Sequence, residues 1–314
     1  MGAGGMTRAW SLDLLFPSLA RVPTSLPWRL AGRIGRESAA EREPLLRWLE
    51  GLFARVFPGA TGAEHAQWAT AHLAMLAQEM VDAMAFHRLG RWGGPVIDLQ
   101  GAEHAKRLAR QGKGFILVLN HYDRLLTAPV ALARAGIATN VLTMPVLDNP
   151  ELQAAQRRFL LRKIQGYTAV TGGTWHTTSD GLRPVHESLR AGQGWVILAD
   201  AWRPEFGRLR GHPFLGGGLS LPTGIERLAQ STGVPLLHAV TCSRSPDHLD
   251  VLVEPLPDNP RQAIDAVVQR LEQDVRARPW AWWQWGLWDQ MWQQQAPESE
   301  VERKPKLGDK HDQD

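Results

Sequence analysis

From about residue 94 to residue 255, short apolar runs of strand length alternate with segments of helical spacing. This alternation constrains the fold more than any other feature of the chain. "PVIDLQG" is followed by "AEHAKRLARQG", "FILVLN" by "LLTAPVALARAG", and "ATNVLTMP" by "NPELQAAQRRFLLRKIQG". "YTAVTGG" then precedes "DGLRPVHESLRAG", and "WVILAD" precedes a glycine-rich loop and the helix "PTGIERLAQSTG". Parallel strands need a long crossover between them, usually a helix. The last pair, "PLLHAVTCS" and "HLDVLVEPL", reads as an antiparallel hairpin. The expected fold is therefore α/β, with a central, mostly parallel (mixed) sheet flanked by helices. Upstream, "EPLLRWLEGLFARVF" and "AEHAQWATAHLAMLAQEMVDAMAFHRLG" carry apolar residues at helical spacing. They predict an N-terminal helical region over 1–92, packed on an α/β domain over 93–295. The charged, non-periodic tail at 296–314 reads as disordered. With 314 residues, 44 % of them apolar, the chain can bury a sizeable core.

Several function classes drop out. No Gly-x4-Gly-Lys-Ser/Thr loop is present, and "GGGLSLPTG" lacks the G-x-G-x-x-G of dinucleotide folds. His87, His104, His121 and His176 are not spaced like zinc ligands, so neither a metal nor a cofactor is expected. The sole cysteine, Cys242, permits no internal disulfide and reads as a small buried apolar residue. A net charge of +3 permits an acidic partner without demanding one, and no nucleic acid is expected. "MGAGGMTRAW" lacks the apolar core of a signal peptide, and no run reaches the roughly 18 apolar residues of a transmembrane span.

The chemistry concentrates at "NHYDR", where a strand meets a helix. In open α/β sheets, reactive groups gather at the carboxyl ends of strands. A histidine there can take a proton from a hydroxyl, provided an acid orients its ring. His121 is that candidate, with Asn120, Asp123 and Arg124 as the floor of its site; the plainer reading is a histidine capping a turn. Arg158 and Arg162 lie four apart on one helix face and suit a phosphate, or form an ordinary solvated face. Arg203, Arg208, Arg210 and His212 make a glycine-rich loop either an anion-docking lip or a plain basic loop. Ser220 and Thr223 precede a helix, where Thr223 is expected as N-cap and the helix start also attracts phosphate. Trp280, Trp282, Trp283, Trp285, Trp288 and Trp292 crowd "WAWWQWGLWDQMW". That segment suits a membrane interface, or else an aromatic core or dimer patch.

"LQGAEHAKRLARQGKGFILVLNHY" resembles the approach to the catalytic motif of the lipid A biosynthesis acyltransferases, the late acyltransferases of the lysophospholipid acyltransferase superfamily. "RKIQG" resembles the family's Arg-x3-Gly element, and "RARPWAWWQW" its ending. "LRAGQGWVILADAWRPEFGRLRGHPFLGGGLSLPTGIERLAQSTGVPLLHAV" resembles its longest shared stretch, and the likeness runs over about residues 28–290. The resemblance implies an O-acyltransferase that takes an acyl group from acyl carrier protein or acyl-CoA. The acceptor would be a hydroxyl of a lipid or glycolipid. The enzyme would lie peripherally on the cytoplasmic face of the inner membrane, touching it through 280–292. Arg162 would then meet a phosphate of the acceptor or carrier. One position departs from the pattern. The family places an acid five residues after the histidine, and here that residue is Leu126. Asp123 is expected to replace it in a tighter turn, with Asp200 as the alternative from another strand. A relative that binds acyl chains or carrier protein without turnover, or a thioesterase, also fits the loss. The departure, and the want of an N-terminal anchor, point to a specialised relative serving another lipid or a secondary metabolite.

Overall fold

Residues 115–119 are apolar at every position, and in the computed structural model the strand they form is buried on both faces. Phe115, Leu117 and Leu119 enter one core cluster; Ile116 and Val118 enter the other. A continuous apolar run is what a strand covered by helices on both sides requires. The structure describes residues 10–37, 42–294 and the backbone of 301–302, so most of the 296–314 tail lies outside the described residues.

The strands are β1 (Val96–Gln100), β2 (Phe115–Leu119), β3 (Thr139–Thr143), β4 (Trp175–Thr177), β5 (Gly194–Leu198), β6 (Arg208–Phe214), β7 (Gly217–Pro222), β8 (Leu236–Ser245) and β9 (His248–Pro255). Seven of them form one sheet in the order β1-β9-β8-β2-β5-β3-β4. β8, β2, β5, β3 and β4 are mutually parallel. β9 returns antiparallel to β8, and β1 pairs with β9 in parallel. The α/β expectation, mixed sheet included, therefore holds. Cys242, in β8, is half-buried, and burial pushes its thiol up to about 11.

The principal helices are α1 (Phe16–Arg21), α2 (Leu26–Glu37), α3 (Glu43–Val56), α4 (Gly62–Ala85), α5 (Ala102–Arg110), α6 (Thr127–Arg134), α7 (Ala154–Thr171), α8 (Arg183–Arg190), α9 (Gly224–Thr232) and α10 (Pro260–Ala277). Two local expectations are corrected. "YTAVTGG", read as a strand, is the last turn of α7. Tyr167 and Thr171 are buried one turn apart, so packing overrides their β propensity. Gly172, left-handed at φ 67°, ends the helix instead of Gly166. The second correction is the glycine-rich loop, which is largely the β6–β7 hairpin. Leu215 and Gly216, both at positive φ, make its two-residue turn.

The N-terminal helices join the sheet through buried charge. Arg124, fully buried, donates from Nε and Nη2 to the Asp82 carboxylate on α4. Trp28 of α2 donates to the same carboxylate at 2.7 Å. The Trp-rich segment lies inside: Trp282, Trp285 and Trp288 are buried, and the other three are half-buried. Trp285 packs edge-on against Phe53 of α3, and His72 of α4 bonds the Trp280 carbonyl oxygen at 2.8 Å. The expected bilayer contact through 280–292 is thus corrected: its rings are largely spent on the core.

Candidate active site

β2 and β5 are adjacent and parallel, with Leu119 and Leu198 as register partners. Two residues beyond that pair, the two chains bring His121 opposite Asp200. His121 Nδ1 lies 2.9 Å from Asp200 Oδ1. The His121 backbone N–H donates to both carboxylate oxygens, at 2.9 and 3.0 Å. The Trp282 indole donates to Oδ2 at 2.9 Å. An ionised carboxylate only accepts, so Nδ1 carries the ring proton and Nε2 keeps a lone pair. The Gln284 amide nitrogen, also 2.9 Å from Nδ1, donates to the Asp200 carbonyl oxygen at 2.8 Å. Trp283 closes the other side: its backbone N–H donates to the His121 carbonyl oxygen, and its ring lies 6.2 Å from the imidazole.

The imidazole forms part of the wall of a cavity of about 490 Å³. The wall is mainly apolar, with Leu125, Leu126, Leu160, Ile197, Trp202 and Leu228 among its residues. Leu126, where the resemblance leads one to expect an acid, is a piece of apolar lining. Beside His121, the charged side chains in the wall are Lys163 and Arg203. Lys163 donates to Glu79 Oε1 at 2.8 Å and lies over the Trp283 ring. Burial raises the Glu79 carboxyl above its ordinary range, and Lys163 opposes that.

Asp123 was expected to hold the ring, and the structure corrects this. Its carboxylate accepts from Ser243 N and Oγ, both at 2.7 Å, and lies 3.3 Å from Arg278. The residue sits at φ 49°, which turns its side chain toward the end of β8. Aspartate is among the few residues that enter this region readily. Arg124 is equally misplaced for substrate, being spent on Asp82 and on the Pro246 carbonyl oxygen. Asn120 is buried against His238 outside the cavity wall. Arg158 is held by Asp13, and Arg162 lies near the same carboxylate on the outer face of α7. Ser220 and Thr223 are not in the cavity wall, and Thr223 makes no side-chain capping bond. Arg210 is bound by Glu226 and Asp265, and His212 by Asp265. Those two side chains brace the β6–β7 hairpin against α9 and α10 and are not a docking lip. Arg208 is exposed outside the wall, so of the loop's basic residues Arg203 alone joins it.

Lys163 and Gln284 were not singled out from sequence. For Lys163 a signal was there: Ala155, Phe159, Tyr167 and Thr171 are a buried stripe at every fourth residue, and Lys163 falls on it. A cation on the apolar stripe of its helix marks a special site. Among the described residues, Asp98, His248 and Asp250 are the one grouping with metal-type donors. Arg244 already bridges both of its carboxylates, so the group is electrostatically satisfied.

This geometry is an acid-oriented histidine beside an apolar cavity. A search of curated proteins finds no match. The family model for bacterial lipid A biosynthesis acyltransferase matches residues 10–288, spanning the N-terminal helices, the sheet and the histidine loop, and the chain belongs to that family.

Proposed function

We propose that the protein transfers a fatty acyl group from a thioester, of acyl carrier protein or CoA, to a hydroxyl of a lipid or glycolipid acceptor. The observation that carries this reading is the buried Asp200 carboxylate holding Nδ1 of His121 at the wall of a largely apolar cavity. His121 Nε2 takes the hydroxyl proton as the oxygen bonds to the thioester carbonyl carbon. Asp200 fixes the tautomer and stabilises the imidazolium. The tetrahedral intermediate then expels the thiolate, the C–S bond breaks, and the proton on Nε2 passes to sulfur. No acyl-enzyme is formed. The cavity holds the alkyl chain, and Lys163 and Arg203 are the cations in its wall that could meet the developing oxyanion.

The test is a turnover assay with labelled acyl carrier protein or acyl-CoA and a total lipid extract, run beside His121→Ala. A labelled lipid that depends on His121 supports the transferase. Free fatty acid alone means hydrolysis. Retained ligand binding with no label transfer from either donor means a relative without turnover.

A further inference from the structure

The pairing of β2 with β5 closes with a bond from the Ala199 N–H to the Leu119 carbonyl oxygen, at 2.8 Å. His121 and Asp200 both lie beyond it, so the sheet ladder does not hold them. A third stretch of chain, distant in sequence, does. Residues 281–284 run alongside the histidine loop, with Trp282 bridged antiparallel to Tyr122. The Trp283 backbone N–H donates to the His121 carbonyl oxygen and its indole to that of Asp123, both at 2.9 Å. The Gln284 amide donates to the Asp200 carbonyl oxygen at 2.8 Å. In return, the Asp123 N–H donates to the Ala281 carbonyl oxygen at 2.7 Å. Two successive residues thus take the carbonyl oxygens of the histidine, of its loop and of its acid.

The same stretch reaches the carboxylate itself. The Trp282 side chain is fully buried, and its indole N–H meets Asp200 Oδ2 while His121 Nδ1 meets Oδ1, each at 2.9 Å. The terminal torsion of an aspartate is broad, so a donor on each oxygen is what fixes the plane in which the imidazole meets it. The stretch is anchored in turn. His72 of α4 holds the Trp280 carbonyl oxygen at 2.8 Å, and Arg278 donates to the Ser243 carbonyl oxygen at 3.1 Å. The Trp285 indole donates to the Pro279 carbonyl oxygen at 2.8 Å, and its ring packs edge-on against Phe53. Trp283, Gln284 and Leu287 also line the cavity, so the cavity wall and the support of the histidine pair are one piece of chain.

We infer that residues 281–284 form a clamp that sets the reactive geometry of the His121–Asp200 pair, with Trp282 and Gln284 as its positioning residues. Both act through Asp200 and leave Nε2 of the imidazole to the substrate. Trp282 holds the carboxylate plane against Nδ1. Gln284 fixes the backbone that carries the carboxylate. Displacing a reacting group by about 1 Å costs on the order of 10²-fold in rate, so small losses of support are legible in turnover. The Trp-rich segment thereby has a part in the chemistry as well as in the core. The effect on turnover rests on the acyl-transfer reading, whereas the geometry of the pair does not.

The experiment compares Trp282→Phe, Gln284→Met and Trp280→Phe in the full chain, with melting temperatures taken on the same preparations. Gln284→Met changes a half-buried side chain and keeps its length, so it carries the test alone if Trp282→Phe folds poorly. Two quantities are read: initial rates, and the ring-nitrogen NMR signals of His121 in protein grown on isotope-labelled histidine, assigned by difference from His121→Ala. Trp282→Phe is expected to lower kcat about ten- to a hundredfold and Gln284→Met about tenfold, with KM within about twofold of wild type. Both are expected to move the His121 signals toward those of a free histidine, in which the two tautomers average. Trp280→Phe, whose ring packs against Arg278, is expected to match the wild type in both readouts. Wild-type turnover with unmoved His121 signals in folded Trp282→Phe and Gln284→Met overturns the clamp. So do equal losses in Trp280→Phe, which would mean general packing. A wild type without turnover, whose His121 signals still move in the two variants, leaves the clamp standing and removes the transferase.

Discussion

Asp200 and Asp123 are both fully buried carboxylates close to His121, and their partners separate their roles. Asp200→Asn leaves a ring without its acceptor and is expected to lower kcat roughly 10²- to 10⁴-fold, with KM little changed. Asp123→Asn, tolerable at a left-handed φ, removes the charge facing Ser243 and Arg278. It is expected to cost about 1–3 kcal/mol of stability and to leave the kcat of the folded fraction near wild type. Urea unfolding and initial rates on the same preparations distinguish the two. Leu126, where the sequence resemblance leads one to expect an acid, is cavity lining. Leu126→Asp in the Asp200→Asn background is expected to lower the melting temperature without restoring activity, because it desolvates a carboxylate in an apolar wall. His212 is a pH-sensitive position. Burial and the neighbouring Arg210 push it down to about 4. The unfolded chain then binds the extra proton between roughly pH 6.5 and 4, so stability is intact above that window and falls as pH drops through it. Buried His72 is shifted in the same direction by desolvation. His212→Gln is expected to flatten part of the acid-side slope in melting temperature, with the His72 share remaining.

At the scale of elements, α4 is the strut that connects the N-terminal helices to the site. Thr61 and Glu64 cap it reciprocally, and its inner face carries His72, Glu79 and Asp82 toward the Trp-rich segment, Lys163 and Arg124. Arg124→Met strands the buried Asp82 carboxylate and is expected to cost about 3–5 kcal/mol in urea unfolding. Asp82→Asn in the same background is expected to recover part of that loss, since no unpaired charge is left buried. The hairpin β6–β7 shows how an element escapes a sequence reading. Its glycines and arginines have loop composition, but paired positive φ values at Leu215 and Gly216 close a tight turn, and Arg210 and His212 point inward to carboxylates.

For the whole molecule, the cavity is assembled from the loop after β2, from β3, β5, α7, α9 and the Trp-rich segment, and its depth should set the chain it accepts. Leu160→Trp is expected to shift the preferred acyl group to shorter chains, read as product masses from a mixture of acyl donors, with little effect on the shortest. The apolar runs, the helical periods and the order of crossovers were legible in sequence, because each is decided by residues near one another in the chain. Those features were enough for the α/β architecture, the mixed sheet and the placing of His121 at a strand end. The choice between Asp123 and Asp200 as the partner of that histidine was not legible. Asp200 lies 79 residues away and meets His121 only when β2 and β5 are laid side by side in register. That register comes from packing the whole core on both faces of the sheet, to which no short segment holds the key. The same packing drew the tryptophans of 280–292 inward and left Leu26, Leu30 and Trp92 at the surface. Hydrophobicity marks residues that leave water if they can, and tertiary structure decides which of them find a place inside.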